Sequence, residues 1–428
     1  MVLLFLNCIP FDLDEVWNYG FMHNIYSGLV PYKDFNMVVT PFFPFLFSLP
    51  FHIFGSNLIV VNICQSLLMT FVYVLLEKLF GRKADVFFIF LFFNYDMLYA
   101  SYNFFIFFLF LVLIFMEKKK CNDYLIGIII GLCVLTKQSV GGALALVSVY
   151  YLFKDYKKFF KRVAGAFIPV VIFLIYIFIV DCYKEFFDLC IAGLFDFGKE
   201  NYVGYKFIMI IFFVCLGVVL FQIYKDRKDI NNYYVLALSV MVIPMFDYFH
   251  LKFFVLGVLI LFIDRIPIKM FNLNLLFYGS MIGMGLLNFF MVVERPIIYP
   301  NNVNHFEYRF IADRHTDETK LVSDKLTSFG DKEVIYLFEQ AYYYKIVNDI
   351  DINYFDLINT GNWGYNGSEK LLNALEEKED AIFAINRLSY AWDKQTDRVA
   401  LEFVEKYCVK IDEVLNYEFY EMKKSKKN

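Results

Sequence analysis

Long uncharged apolar runs alternate with short polar turns over the first 293 residues, and then the pattern stops. The runs fall at about 57–76, 85–98, 104–116, 124–135, 140–153, 163–180, 207–224, 233–247, 251–263 and 271–293. A helix needs roughly 20 apolar residues to cross a hydrocarbon layer of about 30 Å. Several runs reach only 12 to 16 residues, which predicts short helices packed inside a bundle or lining a polar cavity. Residues 1–9, MVLLFLNCI, are apolar but too short to span, and they lack a basic leader and a small-residue cleavage site. They predict a first transmembrane helix whose beginning is missing from this chain, not a signal peptide. The pattern predicts a polytopic α-helical membrane protein of about 11 transmembrane helices.

The tail changes character at Glu294-Arg295-Pro296. Short β-like runs, VIYLF at 334–338 and AIFAIN at 381–386, stand between the helical patterns TDETKLVSDKLTSF, SEKLLNALEEKED and DRVALEFVEKYC. This alternation predicts a small α/β domain over 294–428, about 130 residues and large enough for one core. It carries no dinucleotide-binding glycine motif, P-loop or zinc-protease helix, so it reads as an accessory domain.

Charge sets the orientation. With the first run directed inside to outside, the inside loops EKLFGRKAD, EKKKCND, KDYKKFFKR, KDRKD and DRIPIK carry 16 Lys and Arg. The longer outside loops, including 10–56 and 181–206, carry six. Positive loops stay in the cytoplasm, so the first loop and the tail are expected outside it. The whole chain, at 428 residues, is 59% hydrophobic with 54 Phe and a net charge of -4. That balance, with no basic stripe, excludes a nucleic-acid partner. Most of the eight cysteines lie in apolar runs, as Cys64, Cys133 and Cys215 do, and read as small core residues. Cys182 and Cys190 share one polar loop, which leaves a disulfide open, and no Cys/His grouping points to structural zinc.

Four external stretches carry candidate chemistry. In FDLDEVWNYGFMHNIYSG, residues 11–28, the acids Asp12, Asp14 and Glu15 precede GLVPYKDFNMVVTPFFPFLFSLPFHIFG. Loop acids ordinarily just face water. Here prolines 41, 44 and 50 break the following aromatic segment, which suits the roof of a lipid-accessible cavity. A carboxylate in such a half-dry cavity can act as a general base. GLCVLTKQSVGG, 131–142, places Lys137 and Gln138 between two short apolar runs, where a lone lysine often only snorkels. NYDMLYASYN, 94–103, places Asp96 and Asn103 at the second external turn, and MFDYFHLKFF, 245–254, places Asp247, His250 and Lys252 at another. Ionisable groups at membrane depth point to function by default.

The order of these motifs, Asp-Glu, a helical WNYGFMHNIYSG, PYKDF and the proline-broken TPFFPFLFSLPFHIFG, resembles the first external loop of the C-type (GT-C) membrane glycosyltransferases. More narrowly it is similar to the protein O-mannosyltransferase and aminoarabinose-transferase-like branch, over residues 1–293. The resemblance implies transfer of a sugar from a polyprenyl-phosphate carrier at the outer face of the membrane. It implies Asp14 as catalytic base with Glu15 beside it, and leaves Asp12 one residue early. It further implies Lys137 and Gln138, with His250 and Lys252, near the carrier phosphate, and Asp96 with Asn103 holding the acceptor or a metal ion.

The expected function is an inverting transfer in which a base deprotonates the acceptor and a cation stabilises the departing phosphate. No cofactor is required, and a divalent metal is left open. The acceptor is a glycan, a lipid or a protein, and the setting is the bacterial plasma membrane. Two alternatives remain: a lipid-linked oligosaccharide polymerase or ligase, and a transporter or flippase without chemistry. A ligase usually carries its large loop inside the bundle, and many transporters show repeated halves, neither of which this pattern has. Orientation is testable: a cysteine introduced within 154–162 should be protected from an impermeant thiol reagent in intact cells, and one near Asn301 should be labelled. The opposite labelling would invert the placement of every external motif.

Overall fold

The computed structural model describes residues 13–56, 58–94, 97, 99–243, 245–263, 276–279, 282–283, 297–298, 311–312, 316–338, 341–347, 353–358, 361–388 and 398–423. Its helices are α1 (Leu13–Tyr26), α2 (Phe42–Ser48), α3 (Phe51–Phe54), α4 (Leu58–Phe80), α5 (Ala84–Phe93), α6 (Tyr102–Lys118), α7 (Asp123–Val134), α8 (Gln138–Leu146) and α9 (Val149–Leu152). They continue as α10 (Tyr156–Ile179), α11 (Tyr183–Phe187), α12 (Gly193–Glu200), α13 (Lys206–Lys225), α14 (Ile230–Leu238) and α15 (Tyr248–Phe262). Each apolar run up to 263 overlaps one or two of these helices, though 85–98 extends beyond α5 and 233–247 beyond α14, while the last, 271–293, lies almost wholly outside the described residues, as do residues 1–9 and the boundary expected at 294.

Polar turn residues start the helices. Ser101 Oγ accepts from the Phe104 amide at 3.2 Å, Asn122 Oδ1 from Tyr124 at 2.9 Å, Asp229 Oδ1 from Asn231 at 3.0 Å and Asp247 Oδ1 from His250 at 2.8 Å. Each satisfies an amide that the helix itself leaves unpaired. Among the described residues, three helical stretches are long and apolar enough to cross a membrane: Val60–Leu91, Tyr156–Ile179 and Lys206–Lys225. Shorter apolar stretches include Asp123–Val134 and Tyr248–Phe262. The 17 residues of α6 are buried along most of their length. This short helix sits inside the bundle, as its length predicts, whereas α7 and α8 expose Leu125 and Leu146.

The helices α7 and α10 pack at backbone distance. A Cβ on Gly127 would stand 2.2 Å from the Arg162 carbonyl oxygen, and one on Gly165 2.2 Å from that of Tyr124. Small residues permit this approach between membrane helices, where dispersion rather than dehydration drives association. The same helix pair closes on a buried ion cluster. Arg162, 2% exposed, donates from Nε to Asp123 Oδ1 at 2.9 Å and from Nη2 to Glu117 Oε2 at 3.1 Å. Its Nη1 bonds Glu117 Oε1 and also Tyr234 Oη at 3.2 Å, and Tyr234 donates to Glu117 at 2.9 Å. The guanidinium lies 4.1 Å from the Tyr151 ring centroid. One fork thus joins α6, α7, α10 and α14.

The tail is an α/β unit. Its main sheet runs β3-β4-β6-β5, from β3 (Val334–Leu337), β4 (Ile382–Asn386), β5 (Cys408–Val414) and β6 (Tyr417–Met422). A separate pair, β1 (Ile297–Ile298) and β2 (Ile311–Ala312), is antiparallel. Strands β3 and β4 are parallel, and β6 is antiparallel to both β4 and β5. The helices are α16 (Thr316–Thr327), α17 (Ala341–Val347), α18 (Gly367–Glu376) and α19 (Arg398–Tyr407). Ile335, Leu337, Phe383 and Ile385 pack on one face with Leu371 and Phe403, and Tyr336, Ile382 and Ala384 pack on the other with Val322 and Leu326. A sheet covered on both faces produces the unbroken apolar runs read in the sequence. The hairpin β5–β6 escaped that reading because β5 is an exposed edge strand whose Lys410, Asp412 and Glu413 interrupt the apolar pattern.

The ion cluster makes a stability test. Arg162→Met would leave the largely enclosed Glu117 and the partly exposed Asp123 without their cation, a loss of about 3 kcal/mol. The thermal midpoint of the detergent-purified protein should drop by several degrees, and Lys161→Met, at an exposed neighbouring position, should leave it unchanged. Equal midpoints for the two variants would remove the cluster from the account of stability.

Candidate active site

The first loop is assembled by ties back to the helices on either side of it. Just beyond α1, Gly28 with a φ of 89° turns the chain into Pro31–Asp34. The polar tip is structural: Asp34 Oδ2 accepts from the Val30 amide at 2.7 Å, and Lys33 Nζ donates to the Val180 carbonyl at 3.1 Å. Buried Tyr32 donates to the Val39 carbonyl at 2.9 Å. The prolines split the next segment into α2 and α3, as expected, and Ser56 beyond them bonds α1 twice. Tyr19 Oη donates to its carbonyl at 2.9 Å, and its hydroxyl lies 2.8 Å from His23 Nδ1.

Gln138 is the brace of this arrangement. Its Nε2 donates to the carbonyls of Val38 at 2.7 Å and Cys190 at 3.2 Å, and its Oε1 accepts from the Thr40 amide at 3.3 Å. Both amide protons are thereby committed to backbone carbonyls. Gln138 thereby joins the first loop and the 188–192 turn to the start of α8, and it also lines the cavity described below. Cys182 and Cys190 are buried free thiols, so the loop they share is closed by packing and not by a disulfide.

These loops surround a cavity of about 640 Å³. One wall carries Lys137, Gln138 and His250, and another carries Trp17, Asn18 and Phe21 of α1. Lys137 precedes α8, and its Nζ donates to Asn103 Oδ1 at 2.7 Å and lies 5.4 Å from the Tyr102 ring centroid. Asn103 and Tyr102 form the first turn of α6, so one turn presents both contacts. Asp247 caps α15 with Oδ1 and meets His250 Nδ1 with Oδ2 at 2.7 Å. Burial raises the Asp247 carboxyl, but the facing His250 and the Lys137 charge outweigh it and hold it below its ordinary range. Lys137, His250 and Asp247 thus share one field.

The other expected site residues are spread more widely. Asp14 and Glu15 occupy the first turn of α1, one turn before Trp17 and Asn18 and two before Phe21. Positions 14, 17, 18 and 21 share the spacing of one helical face. Asp12 and Asp96 lie outside the described residues. Lys252 is on α15 but is not part of the cavity wall. Among the described residues, no grouping of three His, Cys, Asp or Glu side chains could hold a metal ion, and Asn103 gives its oxygen to Lys137.

The tail completes the cavity with Leu357 and Asn362. Its α17 sits on α1, with the Tyr342 and Phe21 rings 6.0 Å apart, and Tyr342 and Leu357 belong to the same apolar core as the bundle. A second clasp grips the stretch 188–201. The Asn366 amide donates to Asp196 Oδ2 at 2.8 Å, and Lys370 pairs with Asp188. A Cβ on Gly361 would lie 2.7 Å from the Phe197 Cα, so only glycine allows this docking. Behind the wall, Lys345 Nζ pairs with Asp356 Oδ2 at 2.8 Å, both fully enclosed. Burial lifts the Asp356 carboxyl above its ordinary value even against that cation. Asp356 also accepts from the Asn353 amide at 2.6 Å and so fixes the turn that presents Leu357.

Asn18, Asn201 and Asn362 were missed from the sequence as cavity residues. Only the helical spacing from Asp14 could have pointed to Trp17 and Asn18, and nothing local marks the other two.

No protein-family model matches the chain, and no curated protein sequence does. Among solved structures it is similar to ArnT from Cupriavidus metallidurans bound to undecaprenyl phosphate, at 11% identity and a TM-score of 0.57, covering 98% of this chain and 96% of that one. ArnT in the apo state is similar at 11% identity and a TM-score of 0.54, covering 98% and 95%. At that identity the shared property is the fold. The chain carries the architecture of ArnT, an aminoarabinose transferase of the C-type glycosyltransferase class, from its first described helix through its tail.

Proposed function

We propose that the protein transfers a sugar from a polyprenyl-phosphate carrier to an acceptor at the outer face of the bacterial plasma membrane, with inversion at the anomeric carbon. The observation that carries this reading is the cavity itself. Lys137, held by Asn103, and His250, held by Asp247, stand on one of its walls. The acid-bearing helix α1 supplies another, in a fold whose solved relative binds undecaprenyl phosphate. ArnT bound to undecaprenyl phosphate supports the carrier class.

In this reading Asp14 takes the proton of the acceptor's attacking group. The new bond forms to the anomeric carbon as the carbon–oxygen bond to the carrier phosphate breaks, and the phosphate leaves with that electron pair. One displacement without a covalent intermediate gives inversion. Lys137 neutralises the charge that develops on the leaving phosphate. Its pre-existing bond to Asn103 means that little reorganisation is needed at that moment. His250 adds a ring nitrogen to the same wall, and Glu15 stands beside the base. The polyprenyl chain is too apolar to leave the bilayer, so the base has to meet the sugar at headgroup level.

Two substitutions test the roles with a lipid-linked sugar donor. Asp14→Asn keeps the size of the side chain but cannot take a proton, so transfer should fall about 10²–10⁴-fold while donor affinity persists. Asp12→Asn should change transfer little, and the reverse result would shift the base by two residues. Lys137→Met should lower turnover by roughly 10²-fold, the scale of one preorganised charge contact, with membrane insertion unchanged and a lower thermal midpoint, since Asn103 Oδ1 loses its partner. Full turnover in that variant would make Lys137 a purely structural lysine.

A further inference from the structure

The cavity lining is chemically mixed. Lys137 brings a positive charge, with the His250 ring beside it. Trp17 and Asn18 from α1, Asn201 just after α12, and Asn362 from the tail line the same cavity and bring amides and an indole without formal charge. Lys199 also lines the cavity, but at the exposed end of α12. Three separate parts of the chain thus converge on one neutral, hydrogen-bonding surface.

Buried polar groups are normally bonded, and exceptions call for a reason. Asn362 is 2% exposed and lines the cavity with its amide side chain. The Trp17 Nε1 beside it in the lining is buried without a partner among the described residues. Asn201 is buried too, and donates from Nδ2 to the Phe197 carbonyl at 3.0 Å. Leaving a group like the Trp17 N–H unmet costs about 1–3 kcal/mol, a cost that a ligand would remove. The fitting ligand carries hydroxyls, each both donor and acceptor and so matched to an amide's oxygen and NH₂. It also has an apolar ring face for Trp17 and Phe21.

Building on the glycosyltransferase reading above, we propose that Trp17, Asn18, Asn201 and Asn362 form the subsite that holds the hydroxyl-rich sugar ring of the lipid-linked donor. The external domain is then part of the active site, since it supplies Asn362. The docking geometry suits this role. The loop that bears Asn362 is pinned on α12 by Gly361 against Phe197 and by the Asn366–Asp196 bond. Movement of the tail would withdraw one wall of the sugar subsite and leave the phosphate wall intact.

The test uses the full chain in detergent and compares two ligand types: undecaprenyl phosphate, and undecaprenyl phosphate bearing glucose, mannose, galactose or N-acetylglucosamine. The unmodified protein should bind at least one glycosylated lipid more tightly than the bare phosphate. Asn362→Leu, similar in size but unable to hydrogen-bond, should lower affinity for that lipid about tenfold, the scale of one lost hydrogen-bonded contact. Its affinity for undecaprenyl phosphate should stay within about twofold, and Asn362→Gln should recover part of the loss. Trp17→Phe keeps the ring, removes the N–H and should show the same selective loss. The proposal is overturned if both ligand types weaken equally, if the sugar preference survives both variants, or if no glycosylated lipid is preferred. An unmodified protein that fails to bind undecaprenyl phosphate at all would instead bring down the glycosyltransferase reading on which this subsite rests.

Discussion

A positive charge between apolar helices persists only where something holds it, because no water is there to do so. Lys137 is held by Asn103, and much of the site is organised around that contact. Ser101 starts α6 so that Tyr102 and Asn103 form its first turn. The next residue after Lys137, Gln138, ties the first loop and the 188–192 turn to the same point. A cation held by one residue and a brace formed by the next fix a single joint, and the cavity opens beside it.

The other buried charge, Arg162, obeys the same constraint among a different set of helices. It gathers two carboxylates, a tyrosine hydroxyl and an aromatic face, while close approach at Gly127 and Gly165 draws α7 and α10 together around it. Its polar groups are satisfied among themselves. The groups around the cavity are only partly so, with Trp17 Nε1 and Asn103 Nδ2 left over. A saturated cluster stabilises, whereas an unsaturated one lining a cavity is prepared for a ligand.

The tail belongs to the same physical unit as the bundle. Tyr342 and Leu357 enter the bundle's core, while the sheet keeps two apolar layers of its own. The buried Lys345–Asp356 pair sits between these regions. It adds little net stability by itself, since desolvation offsets attraction, but its geometry sets the turn that places Leu357 at the cavity.

Linear pattern was enough to specify the apolar helices, the parallel strands β3 and β4 of the tail and the identity of Lys137 and His250 as groups worth placing in a site. Hydrophobic periodicity is local, and a charge inside an apolar run is conspicuous without any fold. Local pattern could not identify Gln138 as a brace, because its partners at Val38, Thr40 and Cys190 are far away in the chain. Nor could it single out Asn201 and Asn362, which look like ordinary loop residues. They become cavity walls only when the tail docks on α12, a contact made by Gly361 and Asn366 against partners some 160 to 170 residues earlier. Those roles arise in the folded chain alone, because a hydrogen bond depends on which atoms meet in space, and sequence pattern records only which neighbours share a segment.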